Sequence, residues 1–155
     1  MISIRSTRRA AAAALLLLAA GCRFPFSPGD GHDGARHDLR VARSHWAALG
    51  SDSYTFTVQP LCFCVQQAMR VTVTNGQVVS RVFVDSGQPV PAGQQTALST
   101  VEGMFEVIED AIANDAESIS AQYDPRGVPV QVFIDYEANV ADEEFGWGVT
   151  SFTLQ

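Results

Sequence analysis

Hydrophobic and polar residues alternate along the chain on both sides of the pair Asn75-Gly76. Such alternation predicts strands with one covered face, and Asn-Gly suits the two positive φ angles of a type I′ turn. We therefore predict a β-hairpin over residues 69–85. Its two-residue loop predicts that Arg70 lies opposite Arg81. The predicted apolar face of the hairpin comprises Met69, Val71, Val73, Val78, Val82 and Val84.

Two other segments repeat apolar residues at helical spacing. In the first, Asp38 is placed to cap a short helix and Gly50 to end it. The second predicts the main packing helix, from about Thr100 to Ala113, and Ser99 with Glu102 predicts a capping box at its start. The acidic residues on the other side of this helix have the spacing of a solvated face. They are Glu102, Glu106, Glu109 and Asp110.

Strand-like alternation also occurs over residues 54–58, 119–123, 128–134 and 147–154. The tetrapeptide Asp124-Pro125-Arg126-Gly127 predicts a type I turn, which makes the middle two of these strands a second hairpin. We expect Pro60 to end the first of them or to break it at an edge. Together these elements predict an α+β fold. Its antiparallel sheet would have about five or six strands, with one main helix and one shorter helix packed against it.

The N-terminus has the pattern of an export signal. Three arginines precede an unbroken run of alanine and leucine that ends in Gly21-Cys22. This run is far shorter than the roughly 20 apolar residues that span a bilayer, so it predicts a cleaved segment and not a membrane helix. Residues 18–22 resemble a bacterial lipoprotein signal, in which the cysteine is acylated and becomes the first residue. We therefore expect a signal peptide over residues 1–21 and lipid attachment at Cys22.

The same resemblance bears on the location of the protein. An aspartate after the acylated cysteine is the usual inner-membrane retention signal in enterobacterial lipoproteins, so Arg23 favours the outer membrane. We expect an exported lipoprotein on the periplasmic or cell-surface side of a membrane. Residues 22–37 are rich in Gly, Pro, Ser, Asp and His without periodicity, which predicts a flexible tether. Residues 38–155 then suffice for a single domain.

The charge of the mature chain excludes one class of partner. Without the signal peptide, seven arginines and no lysine remain against seventeen acidic residues, a formal charge of −10. We expect no binding to nucleic acid, whose phosphates attract Lys and Arg. His45 is the only histidine of the predicted domain and no nucleophile motif surrounds it, so we expect neither enzyme activity nor a cofactor. The acidic loop over residues 135–144 matches no familiar calcium-binding spacing, so we expect no metal site.

Cys62 and Cys64 form a Cys-x-Cys pair for which three interpretations stay open. In an ideal strand their side chains point the same way, but their Cβ atoms lie farther apart than the ~3.8 Å of a disulfide. A structural disulfide, which an oxidising compartment favours, would need a bend that Pro60 could supply. Alternatively, both thiols stay unpaired and only pack. The third interpretation is redox or soft-metal chemistry, in which Met69 could join a Cu(I) site.

The polar face of the first hairpin predicts where a partner would bind. Arg70, Arg81 and Phe83 lie on this predicted face, and Phe133 lies on the corresponding side of the second hairpin. Neighbouring carboxylates or the first helix could cover these side chains; otherwise they form a docking patch, because Arg and aromatic residues are enriched at interfaces. We expect a tethered protein-interaction module with a partner in the cell envelope. The alternative is a thiol redox or soft-metal-handling protein that acts through the Cys-x-Cys pair.

Several short motifs lie within residues 46–152. They are Tyr54, Cys62-Phe63-Cys64, Val71-Thr72-Val73, Tyr-Asp-Pro-Arg-Gly-Val-Pro at 123–129, Ile134-Asp135-Tyr136, and Ala-Asp-Glu-Glu-Phe-Gly at 141–146. These motifs resemble a family of uncharacterised bacterial lipoproteins, domain of unknown function 6174. Val128 stands where the turn of that family usually has an aromatic residue. The resemblance implies an exported, tethered α+β domain, and it implies no catalytic residues because the family has no known activity.

Overall fold

The computed structural model describes residues 32–61, 67–94, 97–137, 140 and 143–155. The elements in chain order are α1 (Asp33–Leu49), β1 (Tyr54–Leu61), β2 (Met69–Thr74), β3 (Gln77–Phe83), α2 (Val101–Ala113), β4 (Ser118–Tyr123), β5 (Pro129–Asp135) and β6 (Phe145–Leu154). Cys22, Cys62 and Cys64, for which the sequence predicts a lipid and a disulfide, lie outside the described residues. Within the described ranges, no helix is long and apolar enough to cross a membrane.

The six strands form one antiparallel sheet in the order β3-β2-β1-β6-β5-β4. This confirms the predicted α+β fold and both hairpins, which flank the central pair of β1 and β6. The two helices pack on the face of the sheet that contains the fully buried Tyr54, Phe56 and Val58. We call this the inner face. Residues with the opposite side-chain direction, such as Gln131 and Phe133, are exposed on the outer face.

Strand β1 continues past the point where the sequence predicts a break. Val58 is its last residue paired with β2, whereas pairing with β6 extends to Leu61. Pro60 therefore lies opposite Trp147 in a part of β1 that has only β6 as its described neighbour. A proline is tolerated there because its missing N–H interrupts no ladder on the side of β2.

Helix α2 has the predicted core face but a different cap. The buried residues of this helix are Val101, Met104, Phe105, Ile108, Ala111 and Ile112, as its spacing predicts. The N-cap is Thr100, whose Oγ1 accepts a hydrogen bond of 2.9 Å from the backbone N–H of Gly103. The predicted capping box of Ser99 and Glu102 is therefore wrong. A threonine can make this bond as well as a serine, so adjacent Ser99 and Thr100 leave the sequence pattern ambiguous.

Helix α1 begins earlier than predicted. Its first residue is Asp33, so residues 33–37 of the predicted tether are helical and Asp38 is not the cap. Asp33 contacts Arg36 at 3.3 Å, and His32 is buried, with its Nε2 3.6 Å from an oxygen of Asp115. The contact of His32 joins the start of α1 to the segment between α2 and β4. Gly50 ends the helix in the left-handed conformation, as predicted.

The turn of the first hairpin confirms the type I′ prediction. Asn75 and Gly76 have φ angles of 49° and 71°, and Thr74 pairs with Gln77. The backbone N–H of Gly76 donates to the carbonyl of Asp52 over 2.8 Å. This bond joins the turn to the segment that leads into β1.

The register of the same hairpin then differs from the prediction, because Val79 forms a bulge. Val73 pairs with Val78 but Thr72 pairs with Ser80, so Val79 is the extra residue of β3 and is 61% exposed. Beyond it, Val71 lies opposite Arg81 and Arg70 lies opposite Val82. The predicted pairing of Arg70 with Arg81 is wrong. A shift of one residue exchanges the two faces of a strand, so Arg81 points to the inner face and Val82 to the outer face.

Candidate functional site

The bulge divides the predicted docking patch between the two faces of the sheet. Arg81 and Phe83 lie opposite the buried Val71 and Met69, which places both on the inner face. Arg70 and Phe133 are exposed on the outer face, separated from each other by strands β1 and β6. The four residues therefore do not form one surface.

The two inner-face residues, Arg81 and Phe83, are both partly buried. Phe83 is partly buried against the core. The Nε atom of Arg81 is buried, and no hydrogen-bond partner for it occurs among the described residues. A buried donor without a partner costs free energy, and the half-buried Arg81 therefore differs from the exposed arginine that the sequence predicts.

The outer face contains an apolar patch that includes Phe133. Gly146 of β6 lies opposite Phe133 on one side and opposite Leu61 on the other. Phe133 is 45% exposed and Leu61 is 40% exposed. A Cβ atom on Gly146 would lie 2.4 Å from the carbonyl oxygen of Val132, so glycine is required for the close approach of β6 to β5. We call Leu61, Gly146 and Phe133 the Phe133 patch.

A hydrogen-bonded cluster joins α1, β1 and α2 at the predicted solvated face of α2. Trp46 Nε1 donates to one carboxylate oxygen of Glu102 over 2.7 Å, and the Tyr54 hydroxyl donates to the other over 3.2 Å. The same hydroxyl accepts from the backbone N–H of Val101 over 3.1 Å. Burial is the main cause that raises the pKa of Tyr54 above its ordinary value, and the charge of Glu102 raises it further. The phenol therefore stays neutral and can donate to the carboxylate.

Sequence reasoning missed this cluster because Glu102 has the spacing of an exposed residue. One signal was present: a buried tryptophan usually needs a partner for its indole N–H, and Trp46 lies on the apolar stripe of α1. Another acid of the predicted solvated face, Glu109, accepts a hydrogen bond of 2.6 Å from Arg43 of α1. Two of the four predicted solvated acids therefore connect the helices.

The Tyr-Asp-Pro-Arg-Gly segment forms the turn between β4 and β5. Asp124 Oδ1 accepts from the backbone N–H groups of Arg126 and Val128 over 2.9 and 3.0 Å. The guanidinium of Arg126 lies 4.5 Å from the ring centroid of Phe152 in β6. Gly127 has φ of +89°, and a Cβ atom on it would lie 2.1 Å from the carbonyl oxygen of Ala42 in α1. The segment thus joins the second hairpin to β6 and to α1.

A model of the family described as "Family of unknown function (DUF6174)" matches residues 38–154. The chain belongs to DUF6174. The matched residues include α1 from Asp38 onward and all six strands, and the turn at residues 124–127 of this DUF6174 member lies within the matched range. No curated protein matches the chain, and no solved structure does either.

In the part of the chain that the structure describes, no three residues among His, Cys, Asp and Glu are grouped to hold a metal ion. His45 of this DUF6174 member is exposed on α1 and lines a small cleft with Asp38 and Tyr123. The Cys-x-Cys pair lies outside the described residues, so the three interpretations of it stay open.

Proposed function

We propose that this DUF6174 member is an exported lipoprotein of the bacterial cell envelope and that its domain is a tethered protein-interaction module. The N-terminal arginines, the short apolar run and Gly21-Cys22 support export and lipid attachment at Cys22. Arg23 supports the outer membrane, with the domain on the periplasmic or cell-surface side. The domain would then meet its partner within reach of the membrane.

The Phe133 patch is the observation on which the interaction role depends. Its phenylalanine is 45% exposed on a six-stranded sheet whose opposite face packs against the two helices. Pairing with β4 and β6 fixes the backbone that carries this ring, so a partner that covers it need not order the backbone. Aromatic side chains are enriched at the centres of protein interfaces, which supports a protein partner for this surface.

Fractionation tests the anchor. The Cys22→Ser variant should fold normally and leave the membrane fraction, because the lipid would supply the membrane affinity. The control variant Arg23→Ser keeps the cysteine and should stay with the membranes. Retention of Cys22→Ser in the membrane fraction after a carbonate wash would show that Cys22 is not the anchor.

Site-specific photocrosslinking in intact cells tests the interaction role. A photoreactive residue in place of Phe133 should crosslink to one defined envelope protein. The control position is Val79, which is also exposed and apolar but lies on the bulge of β3. A Phe133 probe that yields the same weak background as the Val79 probe would count against an interaction through this patch.

The alternative function is thiol redox or soft-metal handling, and it depends on the Cys-x-Cys spacing. Titration of free thiols and metal analysis of the purified chain separate it from the interaction module. Titratable thiols that exchange with a dithiol reductant, or a bound soft metal, would favour the alternative. Their absence under mild conditions would remove it.

A further inference from the structure

The two edges of the sheet differ in how the chain covers them. Along β3, the backbone N–H of Phe83 donates to Gln88 and the N–H of Val90 donates to Arg81, over 2.9 and 3.1 Å. Val82 also forms an isolated bridge with Pro89. The segment after β3 therefore returns along this edge and pairs with it.

The β4 edge has none of these contacts within the described part of the chain, where its backbone pairs only with β5. Its sequence is Ser-Ile-Ser-Ala-Gln-Tyr. Natural edge strands commonly block further pairing with proline, lysine, inward-pointing charge or a bulge. β4 contains no charged residue and no proline, and the extra residue of its hairpin, Val130, belongs to β5. This edge retains the chemistry to accept another strand.

Two clefts lie between this edge and α1. One, of about 310 Å³, is lined by Gly34, Ala35 and Asp38 of α1 and by Ile119, Ser120, Ala121 and Tyr123 of β4. The other, of about 190 Å³, is lined by residues that include Asp38, Val41, His45 and Tyr123. Side chains of an added strand that point to the inner face would enter such clefts at every second residue.

Polar groups in these clefts indicate which side chains fit. The Tyr123 hydroxyl is buried, and the described residues provide no hydrogen-bond partner for it. Burial raises the pKa of Tyr123 most, the charge of Asp38 raises it further, and the charge of Arg43 lowers it. Asp38 and Tyr123 line both clefts. Arg43 is already bonded to Glu109. An ammonium or guanidinium group that enters the cleft would meet the exposed carboxylate of Asp38 next to the ring of Tyr123.

The charge of the chain also indicates what kind of strand pairs with the β4 edge. The mature chain has a formal charge of −10, and the exposed Glu117 directly precedes β4. At the other end of β4, Asp124 is already paired with Arg126. A second copy of the chain would bring the same negative charge and a second Asp38 to the interface. A basic partner complements both.

We propose that β4 is a docking edge for an extended, basic segment of a protein partner, which pairs with β4 as a seventh strand and places Lys or Arg side chains against Asp38 and Tyr123. This rests on the proposed interaction function and specifies its partner. Main-chain hydrogen bonds supply affinity in this mode of binding, and the clefts supply preference for basic side chains.

Peptide binding to the purified full chain tests the proposal. The probe is a peptide of alternating valine and arginine, and the control is the same peptide with glutamate in place of arginine. The arginine peptide should bind and should slow the hydrogen exchange of the β4 amides, residues 118–123, without affecting β3. Failure of the arginine peptide to bind, or binding without protection of β4, would overturn the proposal.

Matched variants locate the site. Ser120→Lys adds a positive charge at the exposed outer side of β4, whereas Ser80→Lys adds the same charge on β3. Only Ser120→Lys should weaken binding of the arginine peptide. Asp38→Asn should weaken it by about two- to fivefold, the effect of one exposed ion pair, and Asp110→Asn on α2 should not. If each variant weakened binding as much as its control, the peptide would be attracted non-specifically to an acidic protein. The proposed site at β4 would then be wrong.

Two further outcomes separate this proposal from the proposed function. If β4 amides are already protected in a dimer of the chain without peptide, the occupant is a second copy and the proposed basic partner is wrong. If the Phe133 probe crosslinks to a partner while β4 exchange and Ser120→Lys show no effect, the interaction module stands and the docking edge is wrong. If the Phe133 probe gives no specific crosslink and the arginine peptide does not protect the β4 amides, both proposals are contradicted.

Discussion

The indole Nε1 of Trp46 lies 2.7 Å from a carboxylate oxygen of Glu102, and this hydrogen bond joins α1 to the first turn of α2. The Tyr54 hydroxyl bonds to the other oxygen of the same carboxylate, so β1 takes part as well. One acid thereby satisfies donors from two aromatic side chains that are otherwise packed in the core. Glu102 therefore bonds to Trp46 and Tyr54, whereas the sequence predicts that it forms a capping box with Ser99.

We predict that Glu102→Ala destabilises the domain although Glu102 is an exposed residue. The change leaves the Trp46 indole and the Tyr54 hydroxyl without their acceptor, which should cost about 1–3 kcal/mol. Glu106→Ala, one turn along the same helix, should change the free energy of unfolding by no more than about 0.5 kcal/mol. Urea denaturation of both variants measures the difference. Equal midpoints would show that the hydrogen bonds to Glu102 contribute nothing to stability.

A second prediction compares two glycines with positive φ. Gly127→Ala should cost about 2–4 kcal/mol, because the strained backbone and the contact with Ala42 add together. Gly76→Ala keeps only the backbone cost, about 1 kcal/mol, since no described atom lies within 4 Å of the added Cβ. In thermal unfolding, the melting temperature of Gly127→Ala should therefore be well below that of Gly76→Ala. The reverse order would mean that α1 moves away from the turn without penalty.

Two tyrosines provide a third prediction. Tyr54→Phe removes a donor to Glu102 and an acceptor for Val101, and we expect a loss of about 1–3 kcal/mol. Tyr123→Phe removes a buried hydroxyl that has no partner among the described residues, so it should cost less than about 0.5 kcal/mol at neutral pH. Chemical denaturation at pH 7 tests this ranking, and a larger cost for Tyr123→Phe would contradict it.

The pH dependence of stability provides a further measurement on Tyr123. Burial is the main cause that raises the pKa of Tyr123 from the ordinary value of 10.0 to about 12. The unfolded chain therefore releases the phenolic proton at lower pH than the folded chain. Stability from this group is complete below pH 10 and is lost as the pH rises from 10 to about 12. Tyr123→Phe should lose less stability than the natural chain over that interval, and parallel curves would refute the assignment.

A fourth prediction follows from the bulge at Val79. Arg81→Glu places a carboxylate on the inner face opposite Val71 and should destabilise the domain by about 1–3 kcal/mol. Arg70→Glu makes the same change at an exposed outer-face position and should stay within about 0.5 kcal/mol. The register predicted from the sequence places both arginines on one polar face, and in that register both changes would have similarly small effects. Urea midpoints of the two variants decide between the two registers.

The sequence alone determined the elements whose signals are local. The apolar spacing of α2, the alternation in the strands and the positive φ of Asn75-Gly76 each depend on residues within one or two turns of the chain. Such patterns predict element types well because the helical and strand periods differ. The turn at Asp124 followed from the same kind of signal.

Only the tertiary structure decided the features that depend on distant neighbours. The bulge at Val79 changes the face of Arg81, yet the valines around it alternate equally well in either register. The role of Glu102 depends on Trp46 and Tyr54, which lie 56 and 48 residues away in the sequence. β4 lies at an edge of the sheet because the two hairpins flank β1 and β6. Local spacing specifies which side chains share a face, but partners across the sheet are chosen by packing, and packing is absent from any single stretch of sequence.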